Sequence, residues 1–143
     1  MLIKQLSVFV ENKKGRLSEI LGVLSDNNID ISALSIADTT EFGILRMIVS
    51  DPETAKQKLR ESGVIVKTSN VIGMIVDDKP GALAKDIQLL SENGVTVEYT
   101  YAFLSRSHDN ALVVLRADDN EKAEKILAEN KIGMASPADC YRI

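Results

Sequence analysis

The chain contains a second version of itself. When Val10-Glu11-Asn12-Lys13-Lys14-Gly15-Arg16-Leu17 is set above Val76-Asp77-Asp78-Lys79-Pro80-Gly81-Ala82-Leu83, Gly15 falls on Gly81 and Leu17 on Leu83, an offset of 66 residues. The register continues through Leu24 on Leu90, Asn27 on Asn93, Ile29 on Val95 and Ile31 on Val97. Further along, Asp51-Pro52-Glu53-Thr54-Ala55 falls on Asp119-Asn120-Glu121-Lys122-Ala123, and Leu59 on Leu127, at an offset of 68. The two extra residues are placed in a hairpin loop at 105–110. One long period is a duplication, not a solenoid. It divides the 143 residues into two expected domains, 1–69 and 70–143.

Each copy reads as strand, helix, strand, strand, helix, strand. Leu6, Val8 and Val10 alternate with polar residues, as in a half-buried strand. Gly15 opens a helix whose stripe is Leu17, Ile20, Leu21 and Leu24, with spacing i, i+3, i+4, i+7. Residues 29–37 and 44–49 read as strands around a turn at 38–43. Asp51 caps a helix with Pro52 in its first turn, Gly63 ends it, and 64–67 form a last strand. In the second copy 71–76 is a strand, and Leu83, Ile87 and Leu90 line a helix. Val97, Tyr99, Tyr101 and Phe103 share one strand face, and 112–115 pairs back. Asp118 with Glu121 forms a capping box, and Ala123, Ile126 and Leu127 line the last helix. Pro137 keeps any final strand short, interrupted or at an edge.

Repeated βαββαβ is the ferredoxin-like α+β plan, an antiparallel sheet with helices on one face. A copy of about 70 residues buries only about 60% of its surface and leaves sheet edges open. Pairing the copies solves both problems, as a continuous eight-stranded sheet or as two sheets face to face. One unit with an internal pseudo-two-fold axis is expected.

Composition removes several classes of function. The net charge of −4 repels phosphates, so broad electrostatic binding to nucleic acid is not expected. No apolar run reaches the roughly 18 residues of a membrane helix, and residues 1–10 lack a signal-peptide core, so the expectation is a cytoplasmic protein away from membranes. A single cysteine, Cys140, and a single histidine, His108, leave no disulfide framework and no multi-histidine metal site. No metal, cofactor or catalytic residue is expected, because no nucleophile–base–acid set recurs in both copies. His108 sits in a polar segment and reads as a hairpin tip. Cys140 has no base nearby and reads as an inert thiol. Asp77-Asp78 and Asp118-Asp119 read as capping residues rather than a hard-metal site.

The informative places are the two loops before the first helix of each copy, around Gly15 and Gly81. A helix start presents unpaired N–H groups with partial positive charge, which suit a carboxylate. Asn12 or Asp78 beside it accepts a bond from an ammonium group. Carboxylate donors next to an ammonium acceptor are what a free amino acid requires. The same residues also serve as ordinary turn and cap residues, and spacing alone leaves both readings open.

Asp78-Lys79-Pro80-Gly81-Ala82-Leu83, then Leu90, then Asn93-Gly94-Val95-Thr96-Val97, resembles the signature of the ACT-domain family. Asn12-Lys13-Lys14-Gly15-Arg16-Leu17, then Leu24, then Asn27-Asn28-Ile29-Asp30-Ile31, is a degenerate version, with Asn12 for the acidic residue and Lys14 for the proline. The resemblance spans the chain as two tandem copies. It implies a regulatory module, stand-alone here, that binds a free amino acid at the interface of two copies. By motif position it implies loop residues Asn12, Gly15, Arg16, Leu17, Asp78, Gly81, Ala82 and Leu83, and second-strand residues Asn28, Ile29, Asp30, Asn93 and Val95. The departures in the first copy imply two unequal sites. A homodimer and an associated metabolic enzyme are the partners such a module would have. The competing readings are a ligand-free interaction subunit and, against the charge and the 4% aromatic content, a ferredoxin-like RNA-binding module.

Overall fold

The computed structural model describes residues 2–38, 42–104 and 109–141. The expected turn at 38–43 and hairpin tip at 105–110, with His108, lie largely outside them. The elements run β1 (Ile3–Glu11), α1 (Arg16–Asp26), β2 (Ile31–Asp38), β3 (Phe42–Val49), α2 (Pro52–Glu61), β4 (Val66–Asp77), α3 (Ala82–Glu92), β5 (Val97–Ala102), β6 (Asn110–Ala117), α4 (Asn120–Glu129) and the short α5 (Pro137–Tyr141).

The two copies share a strand. The expected separate strands at 64–67 and 71–76 are one, β4. Its first half pairs with β1, Val66 against Val8 through Val71 against Ile3. Its second half pairs with β6, Ile72 against Leu115 through Asp77 against Asn110. Thr68, Ser69 and Asn70, which fall between the two expected strands, find their ladder partners in β1. The sheet is therefore six-stranded, in the order β2-β3-β1-β4-β6-β5, rather than eight-stranded. The fourth strand of the second copy shrinks to a bridge between Met134 and Met74, flanked by bonds from Ile75 N to Gly133 O and from Ala135 N to Gly73 O.

Lys4 pairs with Asn70, residues 66 apart. The pseudo-two-fold axis passes between them. Around it the sheet folds over, and the outermost strands meet where Ala33 bridges Phe103. Helices cover the outer faces. Leu6, Val8, Val10, Ile20, Leu24, Leu45 and Leu59 form one core beneath α1 and α2. Ile72, Met74, Leu90, Leu115, Ala123 and Leu127 form its counterpart beneath α3 and α4. The inner faces form a third core, the seam between the copies.

The seam has two unlike halves. One is apolar: Ile3, Ala33, Ile48, Val71 and Val114 close over Ala135 and Cys140 of the C-terminal segment. The other is polar and centres on Gln5, which has 0% exposure. Gln5 Nε2 donates to Tyr99 Oη at 2.7 Å and to Ser69 Oγ at 3.1 Å, and Tyr101 Oη donates to Gln5 Oε1 at 2.6 Å. The Arg46 guanidinium lies 3.9 Å from the centre of the Tyr99 ring. Both copies carry a register shift at the start of the second strand, between Ile31 and Ala33 and between Val97 and Tyr99. That bulge splits the expected single stripe. Val97 turns to the helix side, while Tyr99 and Tyr101 enter the seam.

Two further expectations are corrected. Asp119, not Asp118, caps α4, accepting from Lys122 N at 3.0 Å. Asp118 instead accepts from Thr96 N, tying the second strand to the end of β6. Leu83 is 40% exposed and leaves the α3 stripe, which runs through Ala82, Ile87, Leu89 and Leu90.

Candidate functional site

The starts of α1, α2, α3 and α4 differ in kind. Asp51 accepts from Thr54 N at 3.1 Å and Asp119 from Lys122 N, so α2 and α4 are capped by their own carboxylates. The N-caps of α1 and α3 are Gly15, φ 83°, and Gly81, φ 86°, and no side chain caps either helix. Both glycines hold a left-handed conformation that costs other residues about 1–2 kcal/mol. A Cβ on either would meet nothing within 4 Å. Glycine is needed there for backbone conformation, not for close approach of another segment.

The loop before α1 opens on a cleft of about 200 Å³ lined by Asn12, Lys13, Leu17, Ile36 and Gly43. That is smaller than the roughly 300–1,000 Å³ of drug-sized pockets. Ile36 and Gly43 come from the β2–β3 pair and were not among the sequence candidates. The cue for them is register: Gly43 pairs with Val10, the last inward residue before the loop. Arg16 leans away along its helix, its Nη1 2.9 Å from Glu19 Oε2. The loop before α3 borders a larger, charged cleft of about 290 Å³ that includes Asp77, Lys79 and Ala82. Gly81 and Asp78 are exposed at its edge, with Asp78 N donating to Asp109 O.

The second-strand candidates lie elsewhere. Asn28, Ile29 and Asp30 line a different cleft, of about 300 Å³, at the far end of α1. An 11-residue helix separates the two sets by about 16 Å. Ile29 and Val95 are core residues, 7% and 4% exposed. Asn93 caps the end of α3, its Nδ2 donating to Leu89 O at 2.8 Å. Asn28 holds φ 55° after α1, where the second copy has Gly94. The structure therefore does not bring the loop and second-strand sets together within a copy.

Nor does the seam unite them. From the pair Ile3–Val71, β1 runs outward to Glu11 while β4 runs the opposite way to Asp77. At about 3.3 Å per residue, some 45 Å of strand separates the two glycine loops. The seam itself is filled by Gln5, Tyr99, Tyr101 and α5. Within one chain the two glycine loops therefore border separate clefts and do not share a pocket.

Two buried titratable groups behave structurally. Burial pushes the Cys140 thiol up to about 11, the state of an unreactive cysteine. Burial also raises the Tyr101 hydroxyl well above its usual range, so it remains a hydrogen-bond donor. Among the described residues no group of three or more His, Cys, Asp or Glu could hold a metal ion. No helix there is long and apolar enough to cross a membrane.

Against known proteins, the family model described as the ACT domain pair matches residues 1–142. No curated protein sequence matches significantly. Among solved structures the chain is similar to protein BT0572 from Bacteroides thetaiotaomicron, with 42% identity and a TM-score of 0.94 over 100% of this chain and 98% of that one. It is also similar to the regulatory subunit of aspartate kinase from Thermus thermophilus in its ligand-free form, with 15% identity and a TM-score of 0.64 over 90% and 93% of the two chains. Aspartate kinase from Synechocystis aligns with 19% identity and a TM-score of 0.59 over 95% of this chain and 28% of that one. At the two lower identities the likeness is one of fold.

Proposed function

The chain belongs to the ACT-domain-pair family, and from that premise we propose that it is a non-catalytic regulatory protein that binds a free amino acid at the start of α1. The observation that carries this is the contrast between helix starts. Two are closed by aspartates, and the start of α1 has no side-chain cap and faces the cleft of Asn12, Leu17, Ile36 and Gly43. A ligand carboxylate takes the place that Asp51 and Asp119 fill elsewhere, on amides at the positive end of the helix. Asn12 Oδ1 accepts from the ammonium group. Leu17 and Ile36 offer apolar surface to a side chain.

Regulation follows if binding favours one packing of the protein, alone, in a homodimer or on a partner enzyme. The fold shared with an aspartate kinase regulatory subunit supports such a partnership. One observation favours the second reading, an interaction subunit without a ligand. Phe9, Phe42, Ile44 and Ile65 line an exposed apolar cleft of about 470 Å³ on the inner sheet face, beyond the reach of the seam.

A thermal-shift screen against the proteinogenic amino acids tests the proposal. A ligand at 100 times its dissociation constant adds about 2.7 kcal/mol of stability. One amino acid should raise the midpoint, and Asn12→Ala should abolish the rise without changing the unliganded midpoint. No rise with any of them, together with co-purification of an enzyme, would decide for the interaction subunit.

A further inference from the structure

Two substitutions between the copies point to one place. At the 66-residue offset, Ile20 of α1 falls on Asp86 of α3. Ile20 is 1% exposed and packs in the first core, whereas Asp86 carries a carboxylate at the position built for an apolar side chain. At the 68-residue offset, Gly63 falls on Lys131. Both are left-handed, φ 81° and φ 59°. Glycine adopts that conformation freely, and lysine is strained in it.

Both changes face the same opening. With the fourth strand of the second copy reduced to the Met134 bridge, α3 and the turn after α4 stand apart. Two adjoining clefts of about 410 and 290 Å³ run between them, sharing Lys85, Asp86 and Ile132, and Lys131 lines the second. Leu89 and Ile132 give the trough apolar walls. Among the described residues no hydrogen bond or ion pair engages the Asp86 carboxylate. Burial, reinforced by Asp77, outweighs nearby Lys85 and raises its pKa. A partly buried carboxylate with no partner among the described residues and a strained lysine are both costs to folding, and costs gathered on one cavity are the mark of a binding site.

We propose that this trough binds a small zwitterion, a free amino acid whose ammonium group sits on Asp86 and whose carboxylate is held by Lys131. The lysines beside the trough argue against a plain cation, and Asp77 and Asp86 argue against a plain anion. The site is separate from the α1 cleft and does not depend on it.

The first copy supplies the test variants. Asp86→Ile and Lys131→Gly each install the residue found at the equivalent place, and Asp86→Asn keeps the shape while removing the charge. Amide chemical shifts are followed by NMR during titration with the proteinogenic amino acids singly, and with methylamine and acetate as single-charge probes. At least one amino acid should shift the amides of Lys85, Asp86 and Leu89, binding about tenfold or more tightly than either single-charge probe. Asp86→Asn and Lys131→Gly should each weaken it by about tenfold or more. Asp86→Ile and Lys131→Gly should also raise the unfolding midpoint by a few degrees, the opposite of damage to the fold. The proposal is overturned if no amino acid moves the α3 amides, or if the shifts survive undiminished in Asp86→Asn and Lys131→Gly. Shifts confined to Asn12 and Leu17 would support the α1 cleft and reject the trough.

Discussion

Ile20 and Asp86 occupy the same place in the two copies, as do Val71 and Gln5. In the first copy the helix lies down on its sheet and the strand before it turns a glutamine into the seam. In the second the helix position is charged and the seam position is apolar. The same backbone plan thus carries its polar groups in opposite places. The first copy spends polarity on joining the halves, through the Gln5 bonds to Tyr99 and Tyr101. The second exposes polarity beside a cleft. Duplication preserved the framework, and divergence moved the exceptions to it.

The sharpest way to break this comparison is to force the second copy's residue into the first. Ile20→Asp places an unpaired carboxylate in a filled core and should cost about 4 kcal/mol or more. Urea denaturation would measure it, and a cost below about 1 kcal/mol would mean the two helix flanks are equivalent after all. Next in size is the seam. Gln5→Leu strands the Tyr99 and Tyr101 hydroxyls and should cost about 2–3 kcal/mol. In a double-mutant cycle with Tyr101→Phe the combined loss should fall short of the sum, and simple additivity would show that the network is not coupled. Smaller still are the caps. Asp51→Ala and Asp119→Ala should each cost about 1 kcal/mol and match one another, since here the copies agree.

The smallest effect is one of pH. The raised pKa of Asp86 means that the folded state holds this proton more tightly than the unfolded one. Its penalty is therefore full above the raised value and disappears as pH falls below the ordinary 3.8. Asp86→Asn should thus stabilise at neutral pH, with the gain fading in acid. Asp51 is shifted the other way, lowered by its bond from Thr54. The cost of Asp51→Ala should also fade in acid, as the carboxylate that caps α2 is protonated. Stability profiles of the two variants that failed to converge on the parent at low pH would contradict both signs.

Element order was legible in the sequence because the two copies corroborate each other and because helical and strand periods are local. The α1 stripe of Leu17, Ile20, Leu21 and Leu24 and the cap at Asp51 are examples. What local pattern hides is partnership. Residues 68–70 carry no apolar period of their own, and their place in a strand shows only when β1 lies beside them. Gln5 looks like a solvent residue of an alternating strand until the other half closes over it. The loops around Gly15 and Gly81 were found where the motif placed them, but the second-strand set was not joined to them, because helix length and strand direction hold the two apart. Asp86 was readable in the duplication as a mismatch against Ile20. Its meaning depends on the opening beside α3, which no local pattern displays.

The shared strand β4 has a mechanical consequence. Its 12 residues serve as the last rung of one half and the first rung of the other. The two ladders meet end to end at Val71 and Ile72, so the halves are joined by unbroken extended backbone rather than by a loop. A nudge at either extremity therefore travels through a continuous backbone beam rather than across a hinge.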